Sequence, residues 1–227
     1  MSRRALVVGL ARSGRAAALL LRDAGWEVVA TDRAEVAAGE LEAAGVDVRS
    51  PSDAPVPGVD LVVKSPGVPQ ASPPVAAARA AGVPVWSEVE LAARHLPNPL
   101  LAVTGTNGKT TTTELTAHLL RAAGIPATAC GNQGTPLAGL VGAVAPEEWL
   151  VVECSSFQLE DVHAFRPRGA VLLNLAPDHM DRYPGMAEYL DAKLNVFRAQ
   201  RGSDLAIVPA GVAAPGPAAG RRISQDG

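Results

Sequence analysis

Lysine is scarce in this 227-residue chain: Lys64, Lys109 and Lys193 stand against seventeen arginines. Where lysine survives such a tilt, its compact amine, able to shed a proton and react, is the property to look for. A guanidinium stays planar and charged. Aromatic residues make up only 4% of the chain, so Ala, Val and Leu must fill its core, which suits closely packed strand and helix layers. The two cysteines, Cys130 and Cys154, lack metal-site spacing and are too few for a disulfide framework, which points to a reducing compartment. A net charge of -3 offers no electrostatic footprint for nucleic acid. No apolar run approaches the length of a membrane span. The short run after Arg3 and Arg4 is broken by Gly9, Arg12 and Arg15, well short of a signal-peptide core. The expectation is a cytoplasmic monomer with neither a nucleic-acid partner nor membrane insertion.

What is present centres on Gly105-Thr106-Asn107-Gly108-Lys109-Thr110-Thr111. An apolar strand, Leu100–Val103, precedes this run, and Leu115, Leu119 and Leu120 carry helical spacing after it. A strand passing through a glycine-rich turn into a helix aims backbone N–H groups and the positive helix end at one point. Lys109 adds a mobile cation there, and Thr110 a hydroxyl suited to a phosphate-bound magnesium. The reading is a site for a nucleoside triphosphate. The glycine spacing departs from the common P-loop, which would require glycine at Val103.

Strand-like and helix-like segments alternate along the chain. Strands are expected at Ala5–Val8, Glu27–Ala30, Val46–Val48, Leu61–Val63 and Val83–Trp86. Helices are expected from about Arg12 to Ala24 and at Glu35–Ala44, Val75–Ala81 and Glu88–His95. This pattern predicts an α/β fold whose N-terminal part is a Rossmann-like, doubly wound parallel sheet. His95-Leu96-Pro97-Asn98-Pro99 reads as a joint, giving units at 1–95 and 99–227. The second is expected as a partial P-loop-type α/β unit, with strands at Trp149–Cys154, Ala170–Leu173 and Leu205–Val208 and a helix at Met186–Arg198. From Pro209 the chain turns to Ala, Gly and Pro and stops abruptly at Gly227, which reads as a fragment.

In the first unit, Gly9-x-Ala11-x-x-Gly14 sits where a dinucleotide fingerprint would, but alanine replaces the middle glycine, so NAD is disfavoured. Asp32 ends the second strand, and Lys64-Ser65-Pro66-Gly67 ends a later one, where both could face a nucleotide. Each also has a plainer reading, Asp32 as a loop acid and Lys64 as a solvated surface lysine. In the second unit, Glu153 ends an apolar strand, and a carboxylate there needs a cation or strong donors. His179, between Asp178 and Asp181, lies in a strand-end loop and is read as a metal or substrate residue. His95, His118 and His163 are read as surface or packing residues. Lys193, taken alone, is a helix-surface lysine.

Together these residues resemble the Mur ligase family of peptidoglycan synthesis over nearly the whole chain. Thr104–Thr111 looks like the family's ATP loop. Glu153-Cys154-Ser155-Ser156-Phe157-Gln158-Leu159-Glu160 and Asp178–Tyr183 are close to the D-glutamate-adding members. The resemblance implies an ATP- and Mg2+-dependent ligase acting on UDP-N-acetylmuramoyl-L-alanine and D-glutamate through an acyl phosphate. It implies Lys109 on the β/γ-phosphates, and Thr110 and Glu153 on one magnesium. His179 and a carbamylated Lys193 would serve a second magnesium. Asn132 would contact the muramoyl substrate, and Ser13, Asp32, Arg33, Ser65 and Gly67 the uridine-diphosphate side. The family's C-terminal domain, which holds the D-glutamate site, lies beyond this chain, so the expected fragment does not turn over unaided. A silent nucleotide-sugar-binding module and an NAD-dependent oxidoreductase are the competing classes.

Overall fold

The computed structural model describes residues 3–217 and 222–225. Its first part runs β1 (Arg4–Val8), α1 (Arg12–Asp23), β2 (Glu27–Thr31), α2 (Gly39–Ala43), β3 (Asp47–Arg49), β4 (Leu61–Lys64), α3 (Pro73–Ala80), β5 (Val85–Ser87) and α4 (Glu88–Ala93). The strands form one parallel sheet in the order β3-β2-β1-β4-β5. Between β1 and β4 the order reverses, so the loops leaving their C-terminal ends part and open a crevice. All four residues of β4 are buried, Leu61–Val63 as an apolar run covered on both faces should be.

The chain continues with β6 (Leu100–Thr104), α5 (Lys109–Ala122), β7 (Ala127–Gly131), a 3-10 turn at Leu137–Leu140, β8 (Trp149–Glu153), α6 (Ser156–Leu159) and β9 (Gly169–Leu172). It then forms α7 (Met186–Leu194), a second 3-10 turn at Asn195–Phe197, β10 (Leu205–Pro209) and β11 (Arg222–Gln225). These six strands make a second parallel sheet, ordered β11-β10-β9-β6-β8-β7. Both halves are α/β as the alternation predicts.

Several elements differ from expectation. The helix expected at Glu35–Ala44 shrinks to Gly39–Ala43 because side chains hold the preceding loop. Val36 N donates to Ser50 Oγ, Ser50 Oγ donates to the Ala34 carbonyl, and Arg15 donates to that of Ala37. The helix expected to reach Arg198 is α-helical only to Leu194 and tightens into 3-10 geometry over Asn195–Phe197, a common helix ending. β7 and α6 were not expected: Ala-Thr-Ala-Cys-Gly is weakly apolar, and four residues are too few for a periodic signal. Arg222–Gln225, in the tail, adds a strand beside β10, while Arg221 and Gly227 lie outside the described residues.

One apolar cluster passes between the sheets. It runs from Val7 and Leu21 through Val89 and Leu91 of α4 and Leu137 of the turn to Leu150, Val152 and Phe197. Buried acids add to the joint. The Glu90 carboxylate accepts the amides of His163, Ala164 and Phe165 and pairs with Arg94. Glu88, 1% exposed, accepts the Ala138 amide on Oε1, while its Oε2 has no partner among the described residues.

Burial pushes the Glu88 carboxyl from its ordinary 4.5 up to about 7. A raised carboxyl contributes stability below its unfolded value and loses it as pH rises through the folded one. Denaturant melts should therefore show stability falling between pH 4.5 and about 7 through this group. Glu88→Gln, uncharged throughout, should flatten that limb by about 3 kcal/mol and be the more stable chain above it. Equal slopes in both chains would refute the assignment.

Candidate active site

A cleft of ≈ 530 Å³ opens at the C-terminal ends of β1, β2 and β4, lined among others by Ser13, Asp32, Arg33, Ser65, Gly67 and Asn132. All six residues expected on the sugar-nucleotide side, apart from His179, thus meet in one crevice. Asp32 uses part of its acceptor capacity on the backbone: Oδ2 takes the Leu10 amide at 2.7 Å and Oδ1 that of Ala34 at 2.9 Å. It shapes two cleft loops as well as facing the space between them. Gly14 is there for packing. A Cβ on it would lie 1.8 Å from the Gly9 carbonyl oxygen, so only glycine lets α1 sit against the β1 turn.

The phosphate loop joins β6 to α5, whose N-cap is Gly108 in the left-handed region (φ 81). Thr112 N donates to the Gly108 carbonyl, so the N–H groups of Lys109, Thr110 and Thr111 precede the helical ladder and share the helix's positive end. Thr106 N and Asn107 N are instead tied to Asn174, through its carbonyl and its side-chain oxygen. Asn174, two residues past the end of β9, escaped the sequence reading. Only pairing of β9 with β6 puts it beside the loop.

Two lysines hold the loop from within: Lys109 Nζ donates to the Thr106 carbonyl and Lys193 Nζ to that of Gly105, each at 2.8 Å. Lys193 is 1% exposed, which corrects its reading as a helix-surface residue. Its ammonium lies 4.5 Å from the centre of the Tyr189 ring. Burial, aided by the like charge of Lys109, pulls its amine down to about 7. Lys64 is likewise buried, not solvated.

Behind the loop, Thr110 donates its hydroxyl to Glu153 Oε2 at 2.6 Å, and Asn132 donates its amide to Glu153 Oε1 at 2.9 Å. Glu153 is 2% exposed at the end of β8. Asn132 therefore lines the cleft and touches the carboxylate of the phosphate site at once. His179, with φ 55, presents a half-exposed ring 4.8 Å from that of Phe157 and 6.3 Å from that of Tyr189. His118 and His163 are exposed and His95 is half-buried, its pKa lowered by burial.

Among the described residues no three His, Cys, Asp or Glu side chains gather into a metal cage. Magnesium needs none, since it keeps several waters and binds through one or two protein oxygens plus phosphate. The Thr110 hydroxyl and Glu153 carboxylate, hard oxygens in contact, fit it. His179 and Lys193 flank Tyr189, but an ammonium ligates no cation, so that pair fits only if the lysine is modified.

The chain matches the Mur ligase middle domain over residues 103–214. It is 50% identical over 210 residues to the UDP-N-acetylmuramoylalanine--D-glutamate ligase of Geobacter metallireducens, covering 89% of this chain and 46% of that protein. To the ligase of the same name from Myxococcus xanthus it is 50% identical over 218 residues, covering 90% and 47%. The chain thus spans about half the length of these curated relatives. Two solved structures share the fold. The UDP-N-acetylmuramate:L-alanyl-gamma-D-glutamyl-meso-diaminopimelate ligase from Neisseria meningitides has a TM-score of 0.57 at 20% identity, covering 94% of this chain and 73% of that one. MurC from Thermotoga maritima has a TM-score of 0.54 at 23% identity, covering 100% and 53%.

Proposed function

We propose that this chain carries the sugar-nucleotide and ATP sites of a cytoplasmic ligase that adds D-glutamate to UDP-N-acetylmuramoyl-L-alanine for peptidoglycan synthesis. Residues 1–95 take the uridine diphosphate and residues 99–227 the ATP. The observation that carries the reading is Asn132, shared between the cleft and Glu153. In this reading a substrate lying in the first site is within reach of the β6–α5 loop.

In this reading Ser13, Asp32, Arg33, Ser65 and Gly67 hold the uridine-diphosphate end, and Asn132 and His179 orient the muramoyl-alanine carboxylate toward the γ-phosphate. Carboxylate oxygen attacks phosphorus, ADP leaves, and the amine of D-glutamate then displaces phosphate from the acyl phosphate. Lys109 and the first-turn amides of α5 meet charge on the transferring phosphoryl group. Magnesium, when bound, neutralises phosphate charge and polarises the oxygens under transfer. Glu153 is the carboxylate that would hold it, with Thr110 beside it.

Lys193 is suited to carbamylation. An amine brought to about 7 has a substantial neutral fraction at cytoplasmic pH. Its nitrogen can bond to the carbon of CO2 and release a proton, leaving a carboxylate where the ammonium was. That carboxylate and His179 would form the second cation site.

Calorimetric titration tests the assignment. UDP-N-acetylmuramoyl-L-alanine and magnesium-ADP should each bind one site, and saturation with one should leave the other's site open. Mutual exclusion, or binding of NADH to the cleft, would defeat the two-site reading.

A further inference from the structure

A cluster of buried charge outside both ligand sites joins the cleft to the second sheet. Lys64 ends β4, immediately before the Ser65–Gly67 segment of the cleft wall, yet does not line the cleft itself. Its side chain is 0% exposed. Nζ donates to the Val68 carbonyl at 3.2 Å and to Glu160 Oε2 at 3.3 Å, and lies 3.5 Å from Asp161 Oδ2. Gln70 donates to both carboxylates, and Arg79 pairs with Asp161. Glu160 and Asp161 directly follow α6, on the other sheet's side of the molecule. The free oxygen of Glu160 accepts the Tyr183 hydroxyl at 2.7 Å, and the Arg182 guanidinium reaches the Gly67 and Val68 carbonyls from above the Phe157 ring.

One ammonium thus closes the Lys64–Val68 turn on itself and fastens it to two acids from across the joint. The turn supplies Ser65, Pro66, Gly67 and Val68 to the cleft wall. Burying these charges is costly without partners, and leaving the Glu160 carboxylate without its cation is costlier still. Geometry this constrained fixes where the wall stands. An arginine fork would demand a planar, wider slot than the closed space around Nζ.

We propose that Lys64 is a positioning residue of the sugar-nucleotide site: its ammonium, clamped by Glu160, Asp161 and the Val68 carbonyl, holds the Ser65–Val68 wall in its binding position. This rests on the cleft being the uridine-diphosphate site. Lys64 touches no ligand; it acts through the wall.

The test uses uridine diphosphate and magnesium-ADP as probes, with melting temperature recorded for every chain. Lys64→Met leaves Glu160 without its cation, while Asp161 keeps Arg79, and is expected to melt lower. Lys64→Met with Glu160→Gln removes the ion pair as a unit, keeps an acceptor for Tyr183 and leaves Asp161 to Arg79, so it should melt close to the parent. That double variant is expected to bind uridine diphosphate at least about tenfold more weakly while binding magnesium-ADP within about twofold of the parent. Uridine diphosphate affinity within about twofold of the parent overturns the proposal, as does an equal loss for both probes. Unfolding of the double variant counts against it too, since fold maintenance is then all that Lys64 supplies. If the parent chain itself binds no uridine diphosphate, the site assignment fails instead.

Discussion

Lys109→Met is expected to weaken magnesium-ATP binding to this chain by at least about tenfold and, in the full-length ligase, to lower kcat by about 10²–10³. Among the described residues this amine has no carboxylate partner; it donates to the Thr106 carbonyl, an interaction that phosphate oxygens can readily replace. The lysine therefore acts as a point charge held in reserve inside the loop. Methionine keeps the stem and its packing while removing the charge, so melting temperature and uridine-diphosphate affinity should stay near the parent's. The comparison to make is magnesium-ATP against uridine diphosphate on the same protein. Parental ATP affinity in the folded variant would mean that the loop does not grip the triphosphate.

Lys193→Met should separate stability from activity. The native amine is buried, sits near Lys109 and is pulled down to about 7, so its charged form is held at a cost that methionine removes. The variant is expected to melt higher than the parent near pH 6, yet in the full-length ligase to lose about 10³ of kcat through loss of the proposed carbamate's charge. Lys193→Ala leaves room beside Tyr189, and added acetate or formate should restore part of its activity by standing in for the carbamate. Mass spectrometry under CO2 should show one added carboxylate on the parent at this residue. An Ala variant of full activity, or one that short carboxylates leave unmoved, would remove Lys193 from the chemistry.

The phosphate loop was legible because everything it needs is local. A strand, two glycines, a lysine and a threonine over a dozen residues carry the turn between β6 and α5. Rossmann-like alternation in the first part was equally plain, since each strand and helix has its own period. β7 escaped because its Ala-Thr-Ala-Cys-Gly stretch gains its place by pairing with β8, which local apolarity does not announce. Asn174 escaped for a similar reason: its partners Thr106 and Asn107 lie far back in the chain and adjoin it only once β9 pairs with β6. Lys64 and Lys193 show the limit most clearly. A lysine at a strand end or in a helix is ordinarily solvated, and nothing within a few residues of either says otherwise.

Residue order alone determined the α/β layering, the glycine-rich turn at Gly105–Thr110 between β6 and α5 and the resemblance to Mur ligases, because those signals are short-range and survive without knowledge of neighbours. Tertiary structure decided that Asn132 serves both the cleft and Glu153, and that Lys64 and Lys193 are buried. Both outcomes depend on how two parallel sheets pack through α1, α4 and the Leu137 turn. Burial and desolvation are properties of that packed arrangement, and the chemistry of each lysine follows from them.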